Sequence, residues 1–223
     1  MKIGRRLANK LLNAGRFALS FELPGGVTEV SEPVDQAMLA ALREVVENAT
    51  KAFDAYDHTK ALEATETFFW TFTDDYLELV KERAYGNSGQ SAQEIGSAVI
   101  ALREALAILV RLFAPFIPFA AEEVWSWWQQ GSVHLSPWPV TEEIDFQDAG
   151  LMKVASEALV QIRKSKSDAK LSMKAEIKTA TLSGAQELSL IAEDLKSVGK
   201  IAELKLLISN ELALSDLEFA SEE

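Results

Sequence analysis

Residues 57–83, DHTKALEATETFFWTFTDDYLELVKER, run without a glycine or a proline and place Leu62, Phe69, Phe72, Tyr76 and Leu79 three, four or seven residues apart. With about 3.6 residues to a turn, that spacing collects the five side chains on one stripe of an α-helix. The period-two alternation of a half-buried strand is absent, so the segment is read as one long helix whose stripe faces a core. Gly86-Asn87-Ser88-Gly89 closes it. A stripe of this kind needs partner surfaces, and the flanking sequence supplies them.

Upstream, Ser31-Glu32-Pro33 opens a helix that runs to about Tyr56, with Ser31 offering a capping hydroxyl and Pro33 tolerated in the first turn. Before it, residues 2–20 repeat Ile3, Leu7, Leu11 and Ala14 at helical spacing, with Leu12 and Leu19 widening the stripe, and Pro24-Gly25-Gly26 ends that unit. Downstream, Gln93 to Phe113 reads as a helix, Pro115 and Pro118 break it, and Phe119 to Gln130 resumes it up to Gly131. Ser132 to Trp138 is read as an extended segment lying across the bundle, and residues 141–148 as an acidic linker. The pattern then changes. A helix over about 149–166, a strand over 175–182, a helix over 185–197 and strand patterns over 201–219 make a small α/β unit. The expected fold is therefore mainly α: an antiparallel helical bundle over residues 1–145, followed by a small α/β subdomain over residues 149–223.

Composition agrees with an ordered, helix-rich chain: of 223 residues, 48% are hydrophobic and 25% charged, with 11 glycines and 6 prolines. The chain has no cysteine, which excludes disulfides, thiolate metal sites and a cysteine nucleophile. Its two histidines, His58 and His134, lack ligand spacing, so no metal is expected. The longest apolar stretch, residues 105–121, is interrupted by Arg111, Pro115 and Pro118 and is too broken to span a membrane. No signal-peptide pattern opens the chain, and the cytoplasm is the expected compartment.

Net charge is -12, which opposes indiscriminate binding of polyanions, but the charge is unevenly spread. Residues 1–21 contain Lys2, Arg5, Arg6, Lys10 and Arg16 and no acid. On a helix, Arg5, Arg6, Asn9, Lys10, Asn13 and Arg16 gather on the polar side, so donors for phosphates or base edges occupy successive turns. A second basic stretch, residues 160–178, holds Arg163, Lys164, Lys166, Lys170, Lys174 and Lys178 against Asp168 and Glu176. Either stretch is also what a solvated helix face looks like.

Catalytic motifs are scarce. The pairs Asp74-Asp75, Glu122-Glu123 and Glu142-Glu143 are neighbours in sequence, whose side chains diverge on a helix, and they read as solvated faces. The glycine clusters lack phosphate-loop spacing and read as turns. The aromatic runs Phe68-Phe69-Trp70 and Trp125-Ser126-Trp127-Trp128 read first as core, with one or two members able to stack on unpaired bases.

Several segments are similar to a known family. Residues 4–17, GRRLANKLLNAGRF, resemble the helix that opens the anticodon-binding domain of valyl-tRNA synthetases, class I enzymes, and the pattern NKLxNAxRF is fairly specific. Residues 66–81, ETFFWTFTDDYLELVK, look like the third helix of that domain. Residues 112–119, LFAPFIPF, with Glu122-Glu123-Val124-Trp125 look like its fourth-to-fifth helix joint, and Ser132-Val133-His134 through Trp138-Pro139 fits as well. The joint is shared with the isoleucine, leucine and methionine enzymes, whereas the first helix favours valine.

The resemblance implies that residues 1 to about 145 bind the anticodon stem-loop of valine tRNA. Activation of valine with ATP, and its transfer, would belong to catalytic and editing domains of the same parent chain; no cofactor is expected in this part. By the same resemblance Arg5, Lys10 and Arg16 would hold backbone phosphates, while Asn9, Asn13 and Phe17 would meet unstacked bases; Arg6, on the same polar side, is counted with them as tRNA-binding. The nucleotide-binding signatures of the class are absent. Lys164-Ser165-Lys166-Ser167 is like the lysine-serine loop but lacks its methionine and follows the bundle instead of preceding it. The basic coiled-coil arm of many members is not in this sequence, either because it was cut off or because this lineage lacks it, and in the latter case the stretch from Arg163 to Lys178 is a candidate for taking over some tRNA contact. Two other readings stay open: the same domain of an isoleucine or leucine enzyme, and a non-catalytic helical module that binds protein.

Overall fold

A computed structural model describes residues 2–87, 89–146 and 148–220; Ser88 of the expected turn, Gln147 of the expected linker, Met1 and residues 221–223 lie outside it. Lys2 and Ile3 are described in backbone only, so the places expected for their side chains lie outside the described part as well. The bundle consists of α1 (Lys2–Leu19), α2 (Pro33–Asp54), α3 (His58–Thr71), α4 (Leu77–Tyr85), α5 (Ala92–Phe113) and α6 (Pro118–Ser126). Helix α5 is its centre. Ala98, Val99, Ala101, Leu102, Ala105, Leu106, Leu109, Val110, Leu112 and Phe113 are all buried, so the helix is apolar nearly all round, as an enclosed helix must be. It begins at a capping box in which the Ser91 hydroxyl accepts from Glu94 N–H while the Glu94 carboxylate accepts from Ser91 N–H.

The stretch 57–83 is helical throughout but is not one regular helix. Between α3 and α4, Phe72–Tyr76 forms a π-turn, in which Leu77 N–H donates to Phe72 O five residues back. The extra residue keeps Phe69, Phe72, Tyr76 and Leu79 all fully buried while Asp74 stays exposed and Asp75 half-buried. Leu62, expected on the same stripe, is only partly buried at the edge of the core. Gly86, at φ +68°, ends α4 in the left-handed conformation that a side chain disfavours.

The expected cap of α2 differs. Its N-cap is Glu32 and no side chain caps it; the Ser31 hydroxyl is buried without a hydrogen-bond partner among the described residues. The backbone leading into the helix is instead held from α5: Ser97 Oγ accepts from Ser31 N–H (3.1 Å) and Glu32 N–H (2.9 Å) and donates to Asp35 Oδ2 (2.6 Å). Ser132 to Trp138 also departs from a plain extended segment, because Val133–Leu135 is a 3-10 turn with Val133 buried. The segment does lie against the bundle. Trp138 packs edge-on to Phe53 at 5.1 Å and its indole N–H donates to Thr50 Oγ1 at 2.9 Å.

The α/β unit comprises α7 (Gly150–Asp168), β1 (Ile177–Gly184), α8 (Ala192–Gly199), β2 (Ile201–Ile208) and β3 (Ala213–Phe219). The sheet order is β2-β1-β3, with β1 parallel to β2 through α8 and antiparallel to β3. Where one helix was expected over 185–197, a 3-10 segment Gln186–Ile191 precedes α8. Lys166, part of the second basic stretch, is 1% exposed. Its ammonium donates to the carbonyls of Met173 (3.0 Å), Ala175 (2.7 Å) and Gly199 (2.7 Å), joining α7 to the segment before β1 and to the end of α8. Burial draws its pKa down from the ordinary lysine value.

A buried polar cluster joins the two parts. Arg83 of α4 donates to both oxygens of Asp35 on α2 (2.9 and 2.8 Å), to Asp194 on α8 (Nε to Oδ1, 3.1 Å) and to Glu94 O (3.1 Å). Tyr76 OH donates to Asp35 Oδ1 at 2.8 Å. Burial, with Asp35 beside it, pushes the Tyr76 phenol well above its usual range; burial raises Asp194 against the opposing pull of Arg83. Burial would lower the Arg83 pKa, but Asp35 and Asp194 outweigh it, so the guanidinium stays charged.

Two outcomes follow for urea unfolding. Asp35→Ala leaves the buried Arg83 with Asp194 as its remaining described carboxylate partner and takes the acceptor away from Tyr76 and Ser97, and it is expected to lower stability by about 3–5 kcal/mol, the usual effect of breaking one side of a buried ion pair. Lys166→Met leaves three carbonyls without a donor and is expected to lower it by about 1–3 kcal/mol.

Candidate nucleic-acid interface

Helix α1 turns Leu7, Leu11, Ala14 and Ala18 inward, all 5% exposed or less, which forces the intervening polar residues outward. Arg5, Arg6, Asn9, Asn13 and Arg16 are exposed and Lys10 is half-exposed. Arg5, Arg6, Asn9, Lys10 and Asn13 line one open concavity, whose other wall is Trp70 at the end of α3 and Asp74 in the π-turn. The Arg6 guanidinium lies 4.8 Å from the Trp70 ring centre and Lys10 Nζ 5.8 Å from it. Lys10 Nζ donates to Asp74 Oδ1 at 2.7 Å.

The remaining two candidates lie one to two turns further along α1. Arg16 covers the Trp127 ring at 5.4 Å. Phe17 is half-buried, edge-on to Phe21 (4.8 Å) and Tyr85 (6.2 Å), with Lys81 Nζ 5.8 Å from its ring centre. It therefore sits beside the surface in an aromatic cluster of its own and does not share the concavity.

Two tryptophans thus flank α1 in matching surroundings. Trp70 donates its indole N–H to Glu66 and Trp127 to Glu123, each 3.2 Å away and four residues back on its own helix. Each ring is held at a fixed tilt by a carboxylate and covered by an arginine from α1, contacts worth about 0.5–1 kcal/mol apiece where exposed. The Glu-x-x-x-Trp spacing is visible in the sequence; that both rings face α1 is not. Of the aromatic runs, Phe69 is fully buried and Phe68 and Trp125 are 8% exposed, so Trp70 and Trp127, with half-buried Trp128, carry whatever aromatic surface remains.

The carboxylate pairs diverge as neighbours on a helix should, yet they are not free solvated faces. Asp74 turns to Lys10, while Asp75 accepts from Arg163 of α7 at 2.6 Å and Arg163 also donates to the Asp74 carbonyl. Glu122 accepts from Val133 N–H and the Ser132 hydroxyl, and Glu143 accepts from Arg111. The second basic stretch is likewise partly consumed inside the molecule: Arg163 and Lys166 as described, and Lys178 on Glu218 at 3.2 Å. Lys164, Lys170 and Lys174 are the members of that stretch exposed to solvent without a described ion pair. Among the described residues no group of His, Asp and Glu is placed to hold a metal ion, and no helix is long and apolar enough to cross a membrane.

Fold and surface together define a helical-bundle module that presents one basic, tryptophan-lined face. Residues 35–181 match the family described as the anticodon-binding domain of tRNA ligase, and the chain belongs to that family. The match contains Trp70, Asp74 and Trp127, and it runs on through α7 into β1; α1 precedes it. Full-length similarity covers α1 too. The chain is 50% identical to a valine–tRNA ligase of Leifsonia xyli over 97% of its length and 49% identical to one of Thermobifida fusca over 100%. A valine–tRNA ligase of Cutibacterium acnes is 47% identical over 98% of the chain. In each case the chain spans 26% of the relative's length.

The close approach of α1 to α6 can be tested directly. A Cβ at Gly15 would stand 2.7 Å from Val124 Cγ1 and 3.2 Å from the Trp127 ring. Gly15→Val is expected to force the helices apart, lower stability by about 1–3 kcal/mol and shift the tryptophan fluorescence.

Proposed function

We propose that this chain is the part of a valine–tRNA ligase that recognises the anticodon stem-loop of valine tRNA. The observation that carries the reading is the concavity of Arg5, Arg6, Asn9, Lys10 and Asn13 against Trp70, in a molecule whose net charge is -12. Local cations neutralise backbone phosphates, amide side chains meet base edges, and a ring offers a stacking surface; the acidic remainder repels nucleic acid elsewhere. Unpaired loops suit such a surface because their bases can be splayed out and met on their edges. The valine–tRNA ligase relatives along nearly the whole chain support valine over isoleucine or leucine. ATP-dependent activation and transfer then belong to catalytic and editing domains of the parent chain, in the cytoplasm, and this part takes no cofactor. The domain division proposed is bundle to about residue 145 and α/β unit from 149.

The test is a titration with valine tRNA and with a noncognate tRNA at two salt concentrations. Preferential, salt-dependent binding of valine tRNA is expected; binding indifferent to salt would remove the RNA reading. Replacing Arg5 and Arg16 together by Glu exchanges two cations for two anions on α1 and is expected to weaken stem-loop binding at least tenfold. Unchanged affinity would move the site off this helix.

A further inference from the structure

Asp74 is out of place on a phosphate-binding surface. Among the described residues it is the one acidic side chain lining the concavity, the side chain is 53% exposed, and it shares the concavity with Arg5, Arg6 and Lys10. Phosphate oxygens only accept hydrogen bonds, so an exposed carboxylate repels the backbone and weakens every nonspecific contact nearby. Nor is its position incidental. The π-turn pushes residue 74 outward, and Arg163 holds the turn from behind through the Asp74 carbonyl and the Asp75 carboxylate.

The carboxylate is also only half used. Lys10 Nζ donates to Oδ1 at 2.7 Å, the Thr73 hydroxyl stands 3.3 Å from both Oδ1 and the Trp70 carbonyl with one proton to give, and no described bond reaches Oδ2. Beside it the Trp70 indole N–H is held by Glu66 and the ring is covered by the guanidinium of exposed Arg6. A flat group laid on that ring would have an acceptor, Asp74 Oδ2, at its edge, and a donor, Lys10, next to the acceptor.

From this the geometry points to Asp74 as a specificity-determining residue. It accepts a hydrogen bond from the exocyclic amine of an unpaired anticodon base that stacks on Trp70, while Arg6 leaves the ring for a backbone phosphate. The inference rests on the proposed recognition of valine tRNA. Valine codons begin with G and U, so the anticodon carries adenosine in the middle and cytidine in third position, and both bases present an amine beside a ring-nitrogen acceptor on the pairing edge. That donor–acceptor order matches Asp74 beside Lys10. Uridine, which the isoleucine anticodon carries in third position, has no amine.

The experiment is a binding cycle read by fluorescence anisotropy. Wild type, Asp74→Ala and Asp74→Asn are each titrated with four hairpins: the valine anticodon stem-loop, the same loop with purine riboside for the middle adenosine, the same loop with pyrimidin-2-one riboside for the third cytidine, and the same stem closed by an unrelated loop. Each riboside removes only the amine. For wild type, one of the two amine deletions is expected to weaken binding about tenfold. In Asp74→Ala the native loop binds more weakly, that deletion costs nothing further, and the unrelated hairpin binds more tightly because a negative charge is gone. Asp74→Asn, which keeps a carbonyl acceptor, is expected to retain part of the coupling.

A uniform gain in affinity for all four hairpins in Asp74→Ala, or amine deletions that act equally on wild type and variant, would overturn the assignment. Wild-type preference for the valine loop that persists unchanged in Asp74→Ala overturns the role of Asp74 and leaves the proposed function standing. A wild type that does not distinguish the valine loop from the unrelated one overturns both.

Discussion

The Arg83 guanidinium is 5% exposed and lies between Asp35, which is fully buried, and Asp194 of the α/β unit. The donors of Arg83 meet oxygens from three separate pieces of chain: α2, α8 and the first turn of α5. Asp35 in turn receives Tyr76 from the π-turn and Ser97 from α5, and Ser97 holds the backbone that leads into α2. Buried charges of this kind need not add stability over a well-packed apolar core, but they tolerate few alternative arrangements, because any shift strands a charge away from water. The cluster therefore fixes the register of α2, α4, α5 and α8 against one another.

That constraint reaches the surface through the π-turn. Tyr76 is anchored inside by Asp35, while two residues earlier Asp74 meets Lys10 outside and Asp75 meets Arg163. One extra residue in the helix lets the same short segment serve the core, the basic face and the α/β unit at once. The unit is packed into the framework that brings α1, Trp70 and Asp74 together, and among the described residues Arg163 and Asp194 attach it to the bundle through polar contacts.

Charge shows how far a linear reading carries. Two basic stretches look alike in the sequence, yet they are put to different uses. On α1 Arg5, Arg6, Lys10 and Arg16 stay at the surface, where Arg6 and Arg16 lie on tryptophan rings and, of these four, Lys10 has a described ion pair. In the stretch from Arg163 to Lys178, Lys166 is wholly enclosed by carbonyls, half-buried Arg163 is held on Asp75, and Lys178 pairs with Glu218 at the surface. Periodicity could not separate the two, because whether a lysine is buried depends on what lies opposite it.

The sequence by itself determined the helices, their stripes and the polar side of α1, since these follow from a local period and from the apolar residues that must be hidden. It also placed Arg5, Arg6, Asn9, Lys10 and Asn13 on neighbouring turns, which the structure brings into one concavity. Only the tertiary structure decided what stands opposite them. Trp70 and Asp74 arrive from a helix some sixty residues away, Asp74 paired with Lys10 across a separation of 64 residues. It likewise decided that Ser97 rather than Ser31 serves the start of α2, across 65 and 66 residues. Helical spacing is set by bonds four residues apart and can be read locally. The partners of a charge or a ring are set by packing between distant segments, and no local pattern records them.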